Sequence, residues 1–298
     1  MAILLDEKTT VIVQGITGRE GSARTVFMRG YGTKVVAGVT PGRGGTTEAG
    51  VPVYDTVAEA VEKHGPIDAS VTFVPGPSLK DAVLEALDAG IKFIIMPSER
   101  VPLHDILTMV AVAKQKNAKL LGPGSIGIIS PGKAVAGWLG GSAERARIVF
   151  QPGDIGVVSR SGGQTSTVAW ALKQAGFGVS TALHVGTEPV VGLSFADILP
   201  LFEEDKETVA VAAFGEIGGT QEEEAAEVIK EGKFTKPFVI YIAGAWAPAG
   251  MRFSHASSII EYGRGSAESK MKALKEVGAY VVNRPEEIAP TLKRILRR

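Results

Sequence analysis

Thr10-Val11-Ile12-Val13-Gln14-Gly15-Ile16-Thr17-Gly18-Arg19-Glu20-Gly21 joins a short apolar run, a turn with glycines spaced G-x-x-G-x-x-G, and the opening of a helical segment. This is the strand, turn and helix of a parallel-sheet unit, and it sets the fold class as α/β. Such a turn lets backbone amides and a helix N-terminus approach phosphates. Its glycine spacing departs by one residue from G-x-G-x-x-G, which disfavours a standard dinucleotide site. The residues alone leave two readings open: a nucleotide-like ligand or a tight structural turn.

The same alternation continues outward. Strands are expected at Thr10 to Val13, Lys34 to Val39, Ala69 to Val74, Lys92 to Met96 and Ala118 to Leu121, each an apolar run closed by Gly, Pro or Ser. A helix fits Ser78 to Ala89, where Leu79, Ala82, Val83, Ala86 and Leu87 make one apolar stripe. Between Gly122 and Gly153 the pattern breaks into turns around Trp138-Leu139-Gly140-Gly141, which reads as a connection between domains. It restarts with strands at Asp154 to Ser159, Val179 to His184, Thr208 to Phe214, Pro237 to Ala243 and Ala279 to Val282. Gln221 to Lys230 reads as a helix capped by Thr220, with Glu222, Glu223 and Glu224 in its first turn, where the macrodipole favours acids. The expected organisation is a domain over 1–122, a connecting segment over 123–153 and a second domain over 154–298.

Composition narrows the function classes. The 298 residues, 45% of them hydrophobic, suffice for two cores. Thirty-two Lys and Arg balance 32 Asp and Glu, which argues against a nucleic-acid or anionic-membrane surface. With no cysteine, disulfides, thiolate metal sites and a thiol nucleophile are excluded. No run reaches membrane-spanning length and the start lacks a basic leader, so a cytoplasmic protein is expected. No pair of histidines or carboxylates has metal-ligand spacing, and no protein-held metal is expected.

Several strand ends carry polar groups. Val39-Thr40-Pro41-Gly42-Arg43 offers Arg43 where a dinucleotide site would place an acid, which suits a phosphate instead. Val74-Pro75-Gly76-Pro77 and Met96-Pro97-Ser98-Glu99-Arg100 lie where open parallel sheets bind ligands, or are plain turns. Ser159-Arg160-Ser161-Gly162-Gly163 opens a helix with small residues, a ready anion site that matches neither a Walker A loop nor a G-x-S-x-G elbow. Phe214-Gly215-Glu216-Ile217-Gly218-Gly219 repeats the arrangement with a carboxylate added. His255, after the run Pro237 to Ala243, is the candidate covalent catalyst, because a neutral imidazole can accept and pass on a phosphoryl group. Glu216 could accept a hydrogen bond from one of its nitrogens; the other readings are an ordinary loop histidine and a solvated acid. His64 and His104 read as surface residues, and His184 as a packing residue.

Taken in order, these motifs resemble the α subunit of succinyl-CoA synthetase and its acid–CoA ligase relatives over essentially the whole chain. The likeness rests on Gln14-Gly15-Ile16-Thr17-Gly18, Gly38-Val39-Thr40-Pro41-Gly42-Arg43-Gly44-Gly45, Ser159-Arg160-Ser161-Gly162, Gly215-Glu216-Ile217-Gly218-Gly219 and Tyr241-Ile242-Ala243-Gly244. It implies a Rossmann-like CoA-binding domain followed by a flavodoxin-like ligase domain with a phosphorylated histidine. By the resemblance, His255 is that histidine and Glu216 the acid that holds it. CoA would be held by Thr17, Gly18, Arg19, Glu20, Arg43, Pro97, Ser98 and Glu99. Phosphate would be met by Ser161, Gly162, Gly163, Gly218 and Gly219. ATP and Mg²⁺ would sit on a partner β subunit of ATP-grasp fold, in a hetero-oligomer.

Departures from the succinyl pattern bear on the acid. Gly122-Pro123-Gly124-Ser125-Ile126-Gly127, Ser161-Gly162-Gly163, the Gly140-Gly141 pair in a longer segment before Pro152-Gly153, and Lys230 to Pro237 are nearer the citrate enzymes. The resemblance therefore implies the small subunit of a citryl-CoA synthetase, with succinyl-CoA synthetase as the nearest alternative and a non-catalytic CoA-binding module as another. Ser254-His255-Ala256-Ser257 departs from the usual Gly-His-Ala-Gly, and Arg100 stands where a glycine is usual. No citrate-synthase-like domain follows within the sequence, which implies ligation without cleavage.

Overall fold

The computed structural model describes residues 2–245 and 265–298, so His255 lies outside the described residues. In chain order the first half runs β1 (Thr10–Gln14), α1 (Arg19–Tyr31), β2 (Lys34–Val39), β3 (Thr47–Glu48), β4 (Val51–Tyr54), α2 (Val57–His64), β5 (Ala69–Thr72), α3 (Leu79–Asp88), β6 (Phe93–Ile95), α4 (Leu103–Gln115) and β7 (Lys119–Leu121). Its sheet has the order β3-β4-β2-β1-β5-β6-β7, parallel except for the β3–β4 hairpin. The order reverses at β1, which pairs with β2 on one side and β5 on the other. That reversal opens a crevice beyond the carboxyl ends of the strands, as in Rossmann-like sheets.

The second half runs β8 (Gly127–Ser130), β9 (Ala134–Gly137), α5 (Ala143–Val149), β10 (Pro152–Ser159), α6 (Gly162–Gln174), β11 (Val179–His184), α7 (Phe195–Glu204), β12 (Ala210–Glu216), α8 (Gln221–Lys230), β13 (Phe238–Ala243), α9 (Ala267–Glu276), β14 (Tyr280–Val282) and α10 (Ile288–Leu296). The sheet order is β14-β13-β12-β10-β11-β8-β9. Its five parallel strands follow the flavodoxin-like order. The segment 123–153, expected as a connection, instead supplies β8 and β9, which extend this sheet antiparallel from β11. Its glycines mark close approaches in the hairpin, not a linker: a Cβ on Gly127 would lie 2.0 Å from the Ala136 carbonyl oxygen.

The strands read from the sequence form because both faces of each sheet are covered, so their side chains are almost uniformly buried. Helix α3 buries Leu79, Val83, Ala86 and Leu87 on one face. Thr220 stands at the N-cap of α8 as expected, but its hydroxyl makes no capping bond and donates to Glu224 at 2.6 Å instead. One hydrophobic core passes through both halves, from Val11 and Val71 to Val157 and Ala212. The halves are also joined backbone to backbone, Gly192 N–H to the Gly122 carbonyl and Leu193 N–H to the Leu120 carbonyl, both at 2.8 Å. Among the described residues no helix is long and apolar enough to cross a membrane.

The glycines of the first turn are required by approach. Gly15 has φ +78°, and a Cβ there would lie 2.3 Å from the Phe73 carbonyl oxygen; one on Gly21 would lie 2.2 Å from that of Gly15. Gly21→Ala therefore forces backbone apart and should lower unfolding free energy by about 1–3 kcal/mol in denaturant titrations. Gly163→Ala, helical with nothing within 4 Å of the added carbon, should hold or raise stability. Equal effects of the two changes would refute this account.

Candidate active site

Two groups of loops gather at the carboxyl ends of the two sheets. In the first sheet, Gly15 N–H donates to the Val39 carbonyl at 2.8 Å, tying the end of β1 to the end of β2. Thr17 and Thr40 then meet through their hydroxyls at 3.2 Å. Arg43 is exposed on the loop that follows, and Asp55 holds that loop by accepting the Gly44 amide at 2.8 Å. A cleft of about 670 Å³ opens here, lined by Gly15, Thr40, Pro41, Asp55, Val74 and Pro75 among others. Across it, the Ser98 hydroxyl donates to the Val74 carbonyl, while Pro97 is buried and Glu99 exposed. Gly18 opens α1; Arg19 is almost fully exposed, and Glu20 pairs with Arg24 at 3.0 Å.

In the second sheet, β10 and β12 are neighbours, so the starts of α6 and α8 lie at one edge. Ser161 is held by Ser159, whose hydroxyl donates to the Ser161 carbonyl at 2.7 Å and accepts its amide at 3.0 Å. The first intrahelical bond comes from Thr165, leaving the amides of Gly162 and Gly163 ahead of it at the helix start. Gly218 differs: its amide donates to the Gly265 carbonyl at 2.7 Å and its carbonyl accepts from Arg160. Its N–H is thus engaged within the protein, and Gly219 is the exposed member of that turn.

Beneath the turn lies a charge cluster that no sequence pattern announced. Arg160, Glu222 and Lys270 are at most 1% exposed. Arg160 Nη1 reaches both carboxylate oxygens of Glu222, at 3.3 and 3.4 Å, and donates to the carbonyls of Glu216 (3.0 Å) and Gly218 (2.7 Å). Glu222 accepts the Glu216 amide at 3.0 Å and pairs closely with Lys270, which also meets Glu223 at 3.3 Å. Burial alone would raise the Glu222 pKa; the charges of Lys270 and Arg160, with the bonds from Lys270 and the Glu216 amide, outweigh it and hold the carboxyl below its ordinary value. From sequence Glu222 is one of three acids in the first turn of α8; its partners lie 62 and 48 residues away.

His184 is buried beside this cluster. Its Nδ1 accepts the Ile126 amide at 3.1 Å, so Nε2 carries the proton and donates to the Arg160 carbonyl at 3.1 Å. His64 meets the Tyr54 hydroxyl at 3.0 Å, and His104 is exposed on α4. The described flanks of the segment that carries His255 are both tied to the turn after Glu216: Ile217 N–H donates to Ala243 at 3.1 Å, and Gly218 N–H to Gly265. A second cleft, about 350 Å³, is bounded by Trp138, Gly140, Gly141, Arg145, Gly162 and Ser166 among others. Trp138 stacks on Phe73 and lies under the Arg24 guanidinium, so it bridges the two groups of loops. Asp55, Arg160, Trp138 and Arg145 had no site signal of their own in the sequence.

A Rossmann-like sheet with a crevice at its strand ends, followed by a flavodoxin-like sheet whose helix starts gather at one edge, defines a two-part α/β protein. Residues 6–99 match the CoA binding domain family and residues 158–280 the CoA-ligase family. The chain is 51% identical over 296 residues to a succinate–CoA ligase [ADP-forming] subunit alpha of Archaeoglobus fulgidus, covering 99% of this chain and 100% of that one. It is 43% identical to the malate–CoA ligase subunit alpha of Methylorubrum extorquens, over 100% and 99% of the two chains. ATP citrate lyase of Methanosaeta concilii, solved with (3S)-citryl-CoA, superposes with a TM-score of 0.90 at 25% identity, over 99% of this chain; the chain spans about half (51%) of that lyase. The chain belongs to the family of alpha subunits of ADP-forming acid–CoA ligases.

Two measurements test the charge cluster. Lys270→Met leaves a buried carboxylate short of a partner and should cost about 3–5 kcal/mol of stability, read from the denaturation midpoint. Because the folded pKa of Glu222 lies below its unfolded value, its contribution is complete above the ordinary glutamate range near ~4.3 and is lost as pH falls through the folded value. The stability gap between wild type and Glu222→Gln should therefore narrow in acid. A gap that stays constant from pH 7 to the acid limit would refute the assignment.

Proposed function

We propose that this chain is the phosphohistidine- and CoA-carrying subunit of a two-subunit ligase that joins a small carboxylic acid to CoA at the expense of ATP. Its first half, residues 1–122, holds CoA through Thr17, Gly18, Arg19, Glu20, Arg43, Pro97, Ser98 and Glu99. Its second half, 154–298 with the hairpin of β8 and β9 added, holds the phosphoryl group through Ser161, Gly162, Gly163 and Gly219, the Gly218 amide being engaged by Gly265. ATP and Mg²⁺ belong to an ATP-grasp β-type partner, where the cation offsets phosphate charge. The observation that carries the reading is the single sheet edge that gathers the α6 start, Glu216 and both flanks of the His255 segment.

In the proposed sequence, a neutral nitrogen of His255 attacks the terminal phosphorus of ATP and ADP leaves. Glu216 accepts a hydrogen bond from the N–H of the other ring nitrogen and steadies the imidazolium. A carboxylate oxygen of the acid then takes the phosphoryl group, restoring the imidazole and giving an acyl phosphate. The CoA thiolate adds to its carbonyl and phosphate departs, leaving the thioester. Helix-start amides at Gly162 and Gly163 favour the dianionic group in transit.

For the acid, citrate is supported by the Gly122-to-Gly127 and Ser161-Gly162-Gly163 patterns and by the likeness to the citrate lyase. Succinate is supported by relatives at 51% and 46% identity that carry that name. Co-purified with its partner, the enzyme should form a CoA ester from citrate faster than from succinate; the reverse ranking transfers the assignment to succinate. His255→Ala should abolish acid-labile labelling from ATP in that complex, and retained labelling would remove His255 from the mechanism.

A further inference from the structure

Arg100 ends the loop Pro97–Arg100 with φ +58°, a left-handed conformation that a long L side chain adopts only when its surroundings impose it. The imposing group comes from the other half of the protein. The Arg100 amide donates to a carboxylate oxygen of Glu188 at 2.5 Å, and Glu188 is 8% exposed. The loop that carries Glu188 is itself fixed at two points: Val185 N–H donates to the Ser159 carbonyl at 3.0 Å, and Thr187 N–H to the Pro123 carbonyl at 3.2 Å. Ser159 is the residue that shapes the Ser161 turn. On its other side the Arg100 loop is packed tightly, since a Cβ on Gly76 would lie 3.0 and 3.1 Å from the carbonyl oxygens of Glu99 and Arg100.

We propose that Glu188 is a positioning residue for CoA. Resting on the reading of Pro97, Ser98 and Glu99 as CoA-binding, it holds their loop in its left-handed turn from the ligase half. A backbone amide bonded to a carboxylate is a strong, directional contact. Without it, Arg100 relaxes toward extended backbone, and Ser98 and Glu99 lose their place at the cleft lip. The short path from Arg100 through Glu188 and Val185 to Ser159 sets the CoA loop at a fixed place relative to the phosphoryl-side turn.

The test is a double-mutant cycle on the enzyme assembled with its partner, read as CoA dissociation constant and as KM for CoA and for the acid. Glu188→Ala should weaken CoA about tenfold or more, with the acid's KM little changed, and Glu188→Gln, nearly isosteric and still an acceptor, should weaken it less. In an Arg100→Gly background, where glycine takes the turn without strain, Glu188→Ala should weaken CoA by less than about twofold. An undiminished effect in that background, or no effect of Glu188→Ala on CoA, overturns the proposal. Arg43→Ala separates the two levels: if it weakens CoA while Glu188→Ala does not, only the role of Glu188 falls. If neither change matters, the CoA reading of these loops falls with it.

Discussion

Two cations and a carboxylate, Arg160, Lys270 and Glu222, are removed from water at the base of the ligase half, and the surrounding turn takes its shape from them. Burying such ions costs several kcal/mol each, and an apolar trio of similar volume would stabilise the fold as well or better. An apolar trio could not, however, hold backbone atoms. Here Glu222 takes the amide of Glu216, while Arg160 takes the carbonyls of Glu216 and Gly218. The cluster exchanges stability for placement of this turn. Glu223 extends the hold to Gly265 and Ser269, so the start of α8, the start of α9 and the turn between β12 and α8 form one bonded unit.

Parallel sheets leave their loops and helix starts at one edge, so a protein with two such sheets must also fix one edge against the other. This chain does so without a linker. The shared core and the bonds of Gly192 and Leu193 to Gly122 and Leu120 make the halves continuous. Close approach is part of the same solution: a Cβ on Gly192 would lie 2.3 Å from the Leu120 carbonyl oxygen, and one on Gly186 2.2 Å from that of Pro123. Backbone packed too closely to admit a Cβ resists sliding, and a hinge between the halves would have to break this packing.

The sequence exposed the strands of both sheets because a strand covered on two faces is an uninterrupted apolar run. It concealed β3 and β4, a two-residue strand and one interrupted by Pro52, and it disguised β8 and β9 because hairpin glycines resemble linker glycines. The proposed site draws on contiguous motifs that the sequence displays directly, such as Thr17-Gly18 and Ser161-Gly162-Gly163. It was illegible where meaning depends on distant partners. Three successive glutamates open α8, yet only burial against Arg160 and Lys270 separates Glu222 from its neighbours; Glu224 is exposed and bonds Thr220. Arg160 likewise sits inside a contiguous motif, while its partners Glu216, Gly218 and Glu222 lie 56, 58 and 62 residues away.

On the proposed function, the disposition of positive charge among the described residues fits an ATP site on a second chain. Among the described residues, Arg160 and Lys270 lie beneath the turn after Glu216, and both are bound up with Glu222, Glu223 and backbone carbonyls. Neither can turn toward a triphosphate without leaving a buried carboxylate uncompensated. Among the described residues, the cleft beside α6 is lined by one cation, Arg145, set among glycines and apolar side chains. One guanidinium and a helix start suit a single phosphoryl group or a small acid, and fall well short of the charge on ATP. On the proposed function, these described groups suit the phosphoryl group that His255 carries, with the countercharge for ATP supplied by the partner chain.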